Sequence, residues 1–185
     1  VSKLFMQKSV CFDTETTGLN VFTADLIGLS FCFSKGEAYY VTLPADKDET
    51  SDVLREFKAF FQSEHIEKIG QNIKFDLLML SMYGIELRGP MFDTMIAHYL
   101  VQPELRHGMD YLAEIYLRYR TIHYDDLVGG KGKKYPSLIS FPISCIYLST
   151  KIGGITVAFP LPVSITPIYI FFYFFLCQFL LSDIY

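Results

Sequence analysis

An apolar strand that runs out into two acids restricts this chain more than any other feature: Phe12-Asp13-Thr14-Glu15-Thr16-Thr17-Gly18-Leu19. Side chains of an extended strand alternate between faces, so Asp13 and Glu15 project to the same side. Two carboxylates held side by side repel each other unless a cation sits between them. Their hard oxygen atoms suit Mg2+ or Mn2+. Thr16, Thr17 and Gly18 then turn the chain away and leave room for a substrate. The segment reads as half of a metal site.

The other half is expected in Gly70-Gln71-Asn72-Ile73-Lys74-Phe75-Asp76. An apolar stretch from Ile66 to Ile69 leads to Asn72, whose residue type makes it an N-cap for the helical run through Phe75, Leu77, Leu78, Met79 and Leu80. Asp76 then falls one turn inside the helix, where a carboxylate is favoured by the helix dipole. A pair of acids at a strand end and one at a helix start can gather three carboxylates around two ions.

These residues resemble the first two motifs of the DEDD-type, DnaQ-like 3′–5′ exonucleases, in the form found in the proofreading domain of bacterial family A DNA polymerases. The resemblance continues through Phe92-Asp93-Thr94-Met95-Ile96-Ala97-His98-Tyr99-Leu100 and Arg106-His107-Gly108-Met109-Asp110-Tyr111-Leu112-Ala113, and spans roughly residues 8 to 134. It implies an RNase H-like fold and hydrolysis of the terminal phosphodiester at a DNA 3′ end, single-stranded or frayed. It also implies two divalent metal ions, Mg2+ or Mn2+, about 3.5–4 Å apart. By the same resemblance Asp13 bridges both ions, Glu15 binds one, and Asp76 serves the second. Thr16, Leu19 and Asn72 match substrate-binding positions. A polymerase domain is expected in the full-length parent, with roles in DNA replication and repair.

The family pattern needs a fourth carboxylate, in a Tyr-x-x-x-Asp motif or, in another branch, a His-x-x-x-x-Asp motif. Beyond residue 120 the acids are Asp125, Asp126 and Asp183. Four residues before them stand Thr121, Ile122 and Phe179, so the tyrosine form is not met. Five residues before the first two stand Arg120 and Thr121, so the histidine form fails there as well. The exonuclease domain is expected to be truncated before its last motif and impaired in turnover.

The sequence changes character after Lys134. Residues 1–134 carry all but two of the charged side chains, the exceptions being Lys151 and Asp183. The tail, 135–185, is rich in Phe, Ile, Tyr and Leu, shows no amphipathic period, and carries prolines 136, 142, 160, 162 and 167 that would break a long helix. The resemblance stops at Lys131-Gly132-Lys133-Lys134, where adenine-rich codons favour a slip, and the tail is read as a frameshift product. A membrane span over 163–181 is the alternative, with the preceding lysines on the cytoplasmic side. A tail packed on the domain is a third reading. The tail inflates the 51% hydrophobic content, which therefore does not classify the domain.

The soluble part is long enough for one real core. Strands are expected at Ser9–Asp13, Leu26–Phe33, Ala38–Leu43, Ile66–Gly70 and Met91–Phe92, with a hairpin turn around Lys35-Gly36. Helices are expected from a cap at Thr50 or Ser51, from Asn72 to Tyr83, from Thr94 to Val101 and from Met109 to Arg118. That order fits an α/β fold, a mixed sheet flanked by helices. Cys11 and Cys32 lie in apolar runs and are read as reduced core thiols, consistent with a cytoplasmic location. The net charge of −4 argues against strong free-standing DNA affinity. No membrane partner is expected.

Other residues have plainer readings. Asp93 is read as an N-cap, Lys74 and Arg106 as solvated surface, and His98 as a satisfied packing residue. His65, His107 and His123 show no metal-ligand spacing, and Gly129 to Lys134 is a loop rather than a phosphate cradle. Tyr116, Tyr119 and Tyr124 could stack bases, although amphipathic packing accounts for the first two. The alternatives to the exonuclease reading are a non-catalytic nucleic-acid-binding scaffold and an RNase D-like ribonuclease.

Overall fold

The computed structural model describes residues 1–34, 37–118, 120, 146–152 and 155–161. The membrane candidate 163–181, Tyr119, Tyr124 and the lysine-rich loop lie outside these described residues. Strands β1 (Ser9–Thr16), β2 (Leu26–Ser34), β3 (Glu37–Thr42), β4 (Glu67–Gly70) and β5 (Met91–Asp93) form one sheet in the order β3-β2-β1-β4-β5. The β3-β2-β1 half is antiparallel and the β1-β4-β5 half is parallel. Helices α1 (Lys47–Phe61), α2 (Lys74–Ser81), α3 (Thr94–Val101) and α4 (Met109–Leu117) complete this unit. The result is the mixed sheet with flanking helices that the pattern of elements implies. In the tail, β6 (Ile146–Ile152) and β7 (Ile155–Leu161) pair as an antiparallel hairpin in a separate two-stranded sheet.

The core is aromatic and lies under one face of the sheet. Val10 and Phe12 of β1 and Leu29 and Phe31 of β2 meet Leu54, Phe57, Phe60 and Phe61 of α1. Phe31 stacks on Phe57 at 5.4 Å and meets Phe60 edge-on at 5.8 Å. Each fully buried ring contributes about 1.5–3 kcal/mol from burial alone. Met79 and Leu80 of α2 join the same cluster, which fixes that helix against the sheet. Cys11 and Cys32, cross-strand partners, pack with Ile69 in a second, smaller cluster.

Helix α1 begins earlier than its apolar spacing suggests. Its N-cap is Asp46, whose side chain accepts from the amides of Asp48 and Glu49, while Thr50 and Ser51 lie within the helix. The Thr50 hydroxyl is spent on the Pro44 carbonyl at 2.8 Å, so it cannot cap. Asp48 and Glu49 in the first turn complement the dipole, a signal present in the sequence. Beyond the end of α2 the chain turns at Gly84, which takes the left-handed backbone (φ 70) while the Ile85 amide returns to the Leu80 carbonyl.

The expected apolar stretch before Gly70 contains a lysine that is wholly buried. Lys68 on β4 sends its ammonium past the Phe60 ring to the carbonyls of Ser63 and Arg88, the latter at 2.6 Å. It ties two loops to the sheet, and burial lowers its pKa. Lys68→Met keeps the packing but orphans two carbonyls. It is expected to cost about 2–4 kcal/mol in urea unfolding; a loss near zero would mean that water replaces the ammonium without penalty.

Candidate active site

Thr14 sits where the sheet leaves β1 half open. On one side β1 is paired with β2 along its length, from Cys11 to Thr16. On the other, β4 accompanies it only from Ser9 to Cys11, then departs at Gly70 toward α2. The Thr14 amide would face that gap without a partner. Asp76 fills it: its Oδ1 accepts from the Thr14 amide at 2.9 Å and from the Thr14 hydroxyl at 2.6 Å. Asp76 is 2% exposed and stands in the first turn of α2.

Asp13 and Glu15 flank Thr14 on the opposite face, both half-buried. By strand register they share that face with Ser30 and Gly28 of β2 and Tyr40 and Thr42 of β3. Gly28 lies opposite Glu15, and Tyr40 crosses directly above it. A Cβ at Gly28 would stand 2.1 Å from the Tyr40 hydroxyl oxygen. Gly28→Ala therefore forces Tyr40 aside, and should cost about 1–3 kcal/mol of stability in urea.

The three acids crowd one another. Burial raises Asp13 well above its ordinary value of 3.8, and the negative charges of Asp76 and Glu15, with a hydrogen bond to Glu15, raise it further. Burial also raises Asp76, to about 7, against the lowering effect of the Thr14 hydrogen bonds. Groups shifted in this way mark functional sites. Among the described residues no three acidic, histidine or cysteine side chains stand close enough to grip an ion as they are placed. The donor chemistry does fit divalent ions: three hard carboxylates gather where their own repulsion favours a cation.

The remaining candidates fall at different distances from this centre. Thr16 is half-buried, its hydroxyl donating to the Gly18 carbonyl at 2.8 Å, and Leu19 projects from the same loop at 93% exposure. Asn72 is not the N-cap of α2. It takes the left-handed conformation (φ 59), Ile73 occupies the cap position, and no side chain of α2's own N-terminus caps it. The cap comes from Asp93, which accepts from the amides of Asn72 at 3.0 Å and Ile73 at 2.9 Å as well as capping α3. A cross-strand cap has no local sequence signature, so residue type at Asn72 misleads. Lys74 and Arg106 are exposed, as read.

A buried polar chain braces the same region. Gln71 donates to the His107 carbonyl at 2.7 Å and accepts from the Thr94 hydroxyl. His98, fully buried, meets His107 Nδ1 to Nδ1 at 2.7 Å and the Tyr116 hydroxyl at 3.1 Å. Tyr116 donates to Gln102, so His98 must donate through Nε2 and accept at Nδ1. His98 is thus the satisfied packing residue that its surroundings in sequence suggest, and burial followed by the His107 charge lowers its pKa. Its pairing with His107 is a product of the fold alone.

A family model described as 3′–5′ exonuclease matches residues 1–141. The chain belongs to the 3′–5′ exonuclease family. It is 37% identical over 131 residues to DNA polymerase I of Borreliella burgdorferi, covering 69% of this chain and 14% of that protein. It is also 37% identical over 144 residues to DNA polymerase I of Pseudomonas aeruginosa, covering 72% of this chain and 16% of that protein. The chain thus spans about a seventh of the length of these curated relatives. Among solved structures, Brucella melitensis NrnC with bound Mg2+ superposes with a TM-score of 0.56 at 24% identity, over 65% of this chain and 59% of that one. That likeness supports the RNase H-like fold.

The raised acids make stability depend on pH in a definite direction. Between the ordinary carboxylate value of 3.8 and about 7, the folded chain holds protons that the unfolded chain has released. Stability therefore falls as pH rises through that window. Asp13→Asn removes one of the crowded charges and is expected to flatten the decline in thermal melts recorded without divalent ions. An unchanged slope would place its cause elsewhere.

Proposed function

We propose that Asp13, Glu15 and Asp76 form the metal-dependent centre of a 3′–5′ exonuclease acting on DNA 3′ ends, of the kind that proofreads in DNA polymerase I. One observation carries the reading: α2 delivers a buried carboxylate to the open edge of β1 beside the strand-end pair. In this reading Asp13, Glu15 and Asp76 would be the residues that hold the divalent ions. When bound, the ions would neutralise the acids and activate the attacking water. Thr14 anchors the Asp76 carboxylate through Oδ1, so its orientation is fixed before substrate arrives. Leu19, Thr16 and Asn72 would hold the terminal nucleotide, with exposed Leu19 bearing on its base.

The sequence supplies no Tyr-x-x-x-Asp acid beyond residue 120. A two-metal cluster short of one ligand should lose turnover far more than folding. We therefore assign the chain weak binding of metal and 3′ ends with little hydrolysis. The motif-bearing unit is taken as residues 1–134 and the apolar segment 135–185 as foreign to it. The parent polypeptide would carry a polymerase domain and work in the cytoplasm. Among the described residues no helix is long and apolar enough to cross a membrane. The match to polymerase-type relatives favours DNA over the RNA of an RNase D-like enzyme.

The test is incubation of the chain with a labelled single-stranded DNA bearing a free 3′ end, in Mg2+ and in Mn2+. The expected result is little or no shortening, with Mn2+ binding that is lost in Asp13→Ala. Clear hydrolysis that disappears in Asp13→Ala would overturn the assignment of impaired turnover. Binding of the 3′ end that needs no Mn2+ would favour a non-catalytic nucleic-acid-binding scaffold, and failure to bind either would overturn the reading.

A further inference from the structure

Asp93 stands where two strands run out together. β4 and β5 are parallel neighbours with Gly70 opposite Asp93, and both strands lead into helices, α2 and α3. Two helix N-termini therefore open side by side, each with unpaired amides and a positive dipole end. One carboxylate serves both. Its Oδ1 accepts from Asn72 at 3.0 Å, Met95 at 2.9 Å and Ile96 at 3.3 Å, and its Oδ2 accepts from Ile73 at 2.9 Å.

We propose that Asp93 is a positioning residue of the active site, holding the start of α2 so that Asp76 meets Thr14 at the open edge of β1. Asn72 takes the left-handed conformation (φ 59), which asparagine tolerates better than most residues, and the turn that contains it is held from outside. The amide bonds from Asn72 and Ile73 to Asp93 do this. The first turn of α2 builds directly on them: the Phe75 amide returns to the Asn72 carbonyl at 3.0 Å and the Leu77 amide to the Ile73 carbonyl at 2.9 Å. Asp76 lies between those two residues, so a displaced Ile73 carries it away from Thr14. Thr94, next to Asp93, grips the same turn through Gln71 and the Gly70 carbonyl. The junction of β5 and α3 thus sets the geometry of a carboxylate that it never touches.

Two substitutions separate this role from simple capping of α3. Serine is itself a good N-cap, so Asp93→Ser keeps the α3 cap but is too short to reach α2. Asp93→Asn preserves size and Oδ1, and sets a donor against the Ile73 amide. The readout is native-state amide exchange, referenced to the β1–β2 ladder, which reports global opening. Both variants should leave Met95 and Ile96 protected. Both should speed exchange at Ile73 and, through Asp76, at Thr14, by roughly tenfold for one lost charge-assisted bond. Unchanged Thr14 exchange in both variants would reduce Asp93 to a local cap and overturn the proposal.

The consequence for the metal rests on the exonuclease reading, and the exchange result does not. With Mn2+ as probe, Asp93→Ser should weaken binding by about 10–100-fold. If the unaltered chain binds no Mn2+ while Thr14 exchange responds as expected, the functional reading fails and the positioning role stands.

Discussion

Everything around the candidate centre depends on one hydrogen-bonded junction, the Asp76 carboxylate on the amide and hydroxyl of Thr14. A strand paired on both sides has no room for a side chain at its edge. Here β4 follows β1 for three residues and then leaves, so a backbone donor at Thr14 is exposed inside the molecule. An unpaired buried amide costs about 1–3 kcal/mol. A carboxylate that satisfies it is thereby held beside two other acids. Completing the backbone hydrogen bonding and assembling the centre are the same act.

That arrangement is electrostatically expensive in the absence of a cation. Asp13 and Asp76 both resist ionisation, chiefly through burial; the charges of Asp76 and Glu15 add to this at Asp13, and that of Glu15 at Asp76. The hydrogen bonds from Thr14 offset part of this for Asp76 and do little for Asp13. The fold accepts the strain because the aromatic core on the other face, built on Phe31 and the three phenylalanines of α1, is indifferent to it.

Buried and half-buried polar side chains hold the connecting turns in place. Lys68 ties the loops at Ser63 and Arg88 to β4, Asp93 and Thr94 tie the β4–α2 turn to β5, and His98 with His107 and Tyr116 links α3 to α4. Asp93 and Thr94 hold the turn that leads into the helix carrying Asp76, which is how a carboxylate can be kept in place beside others that repel it.

Strand-end alternation at Asp13 and Glu15, the helical run carrying Asp76, and the order of strands and helices are all legible in the sequence, because each follows from local period and residue type. Thr50 misleads about the start of α1 because its capping side chain is directed by the fold to Pro44. Residue type misleads at Asn72 because the cap comes from a strand twenty-one residues away. The burial of Lys68 and the meeting of His98 with His107 leave no trace in local pattern at all. By itself the sequence determined that Asp13 and Glu15 share a strand face and which segments of the sheet-and-helix unit would be strand or helix, since those depend on neighbours along the chain. Only the tertiary structure decided where β4 parts from β1, and so which backbone donor lay open for Asp76. Strand pairing joins residues far apart in sequence, and its point of departure is set by packing.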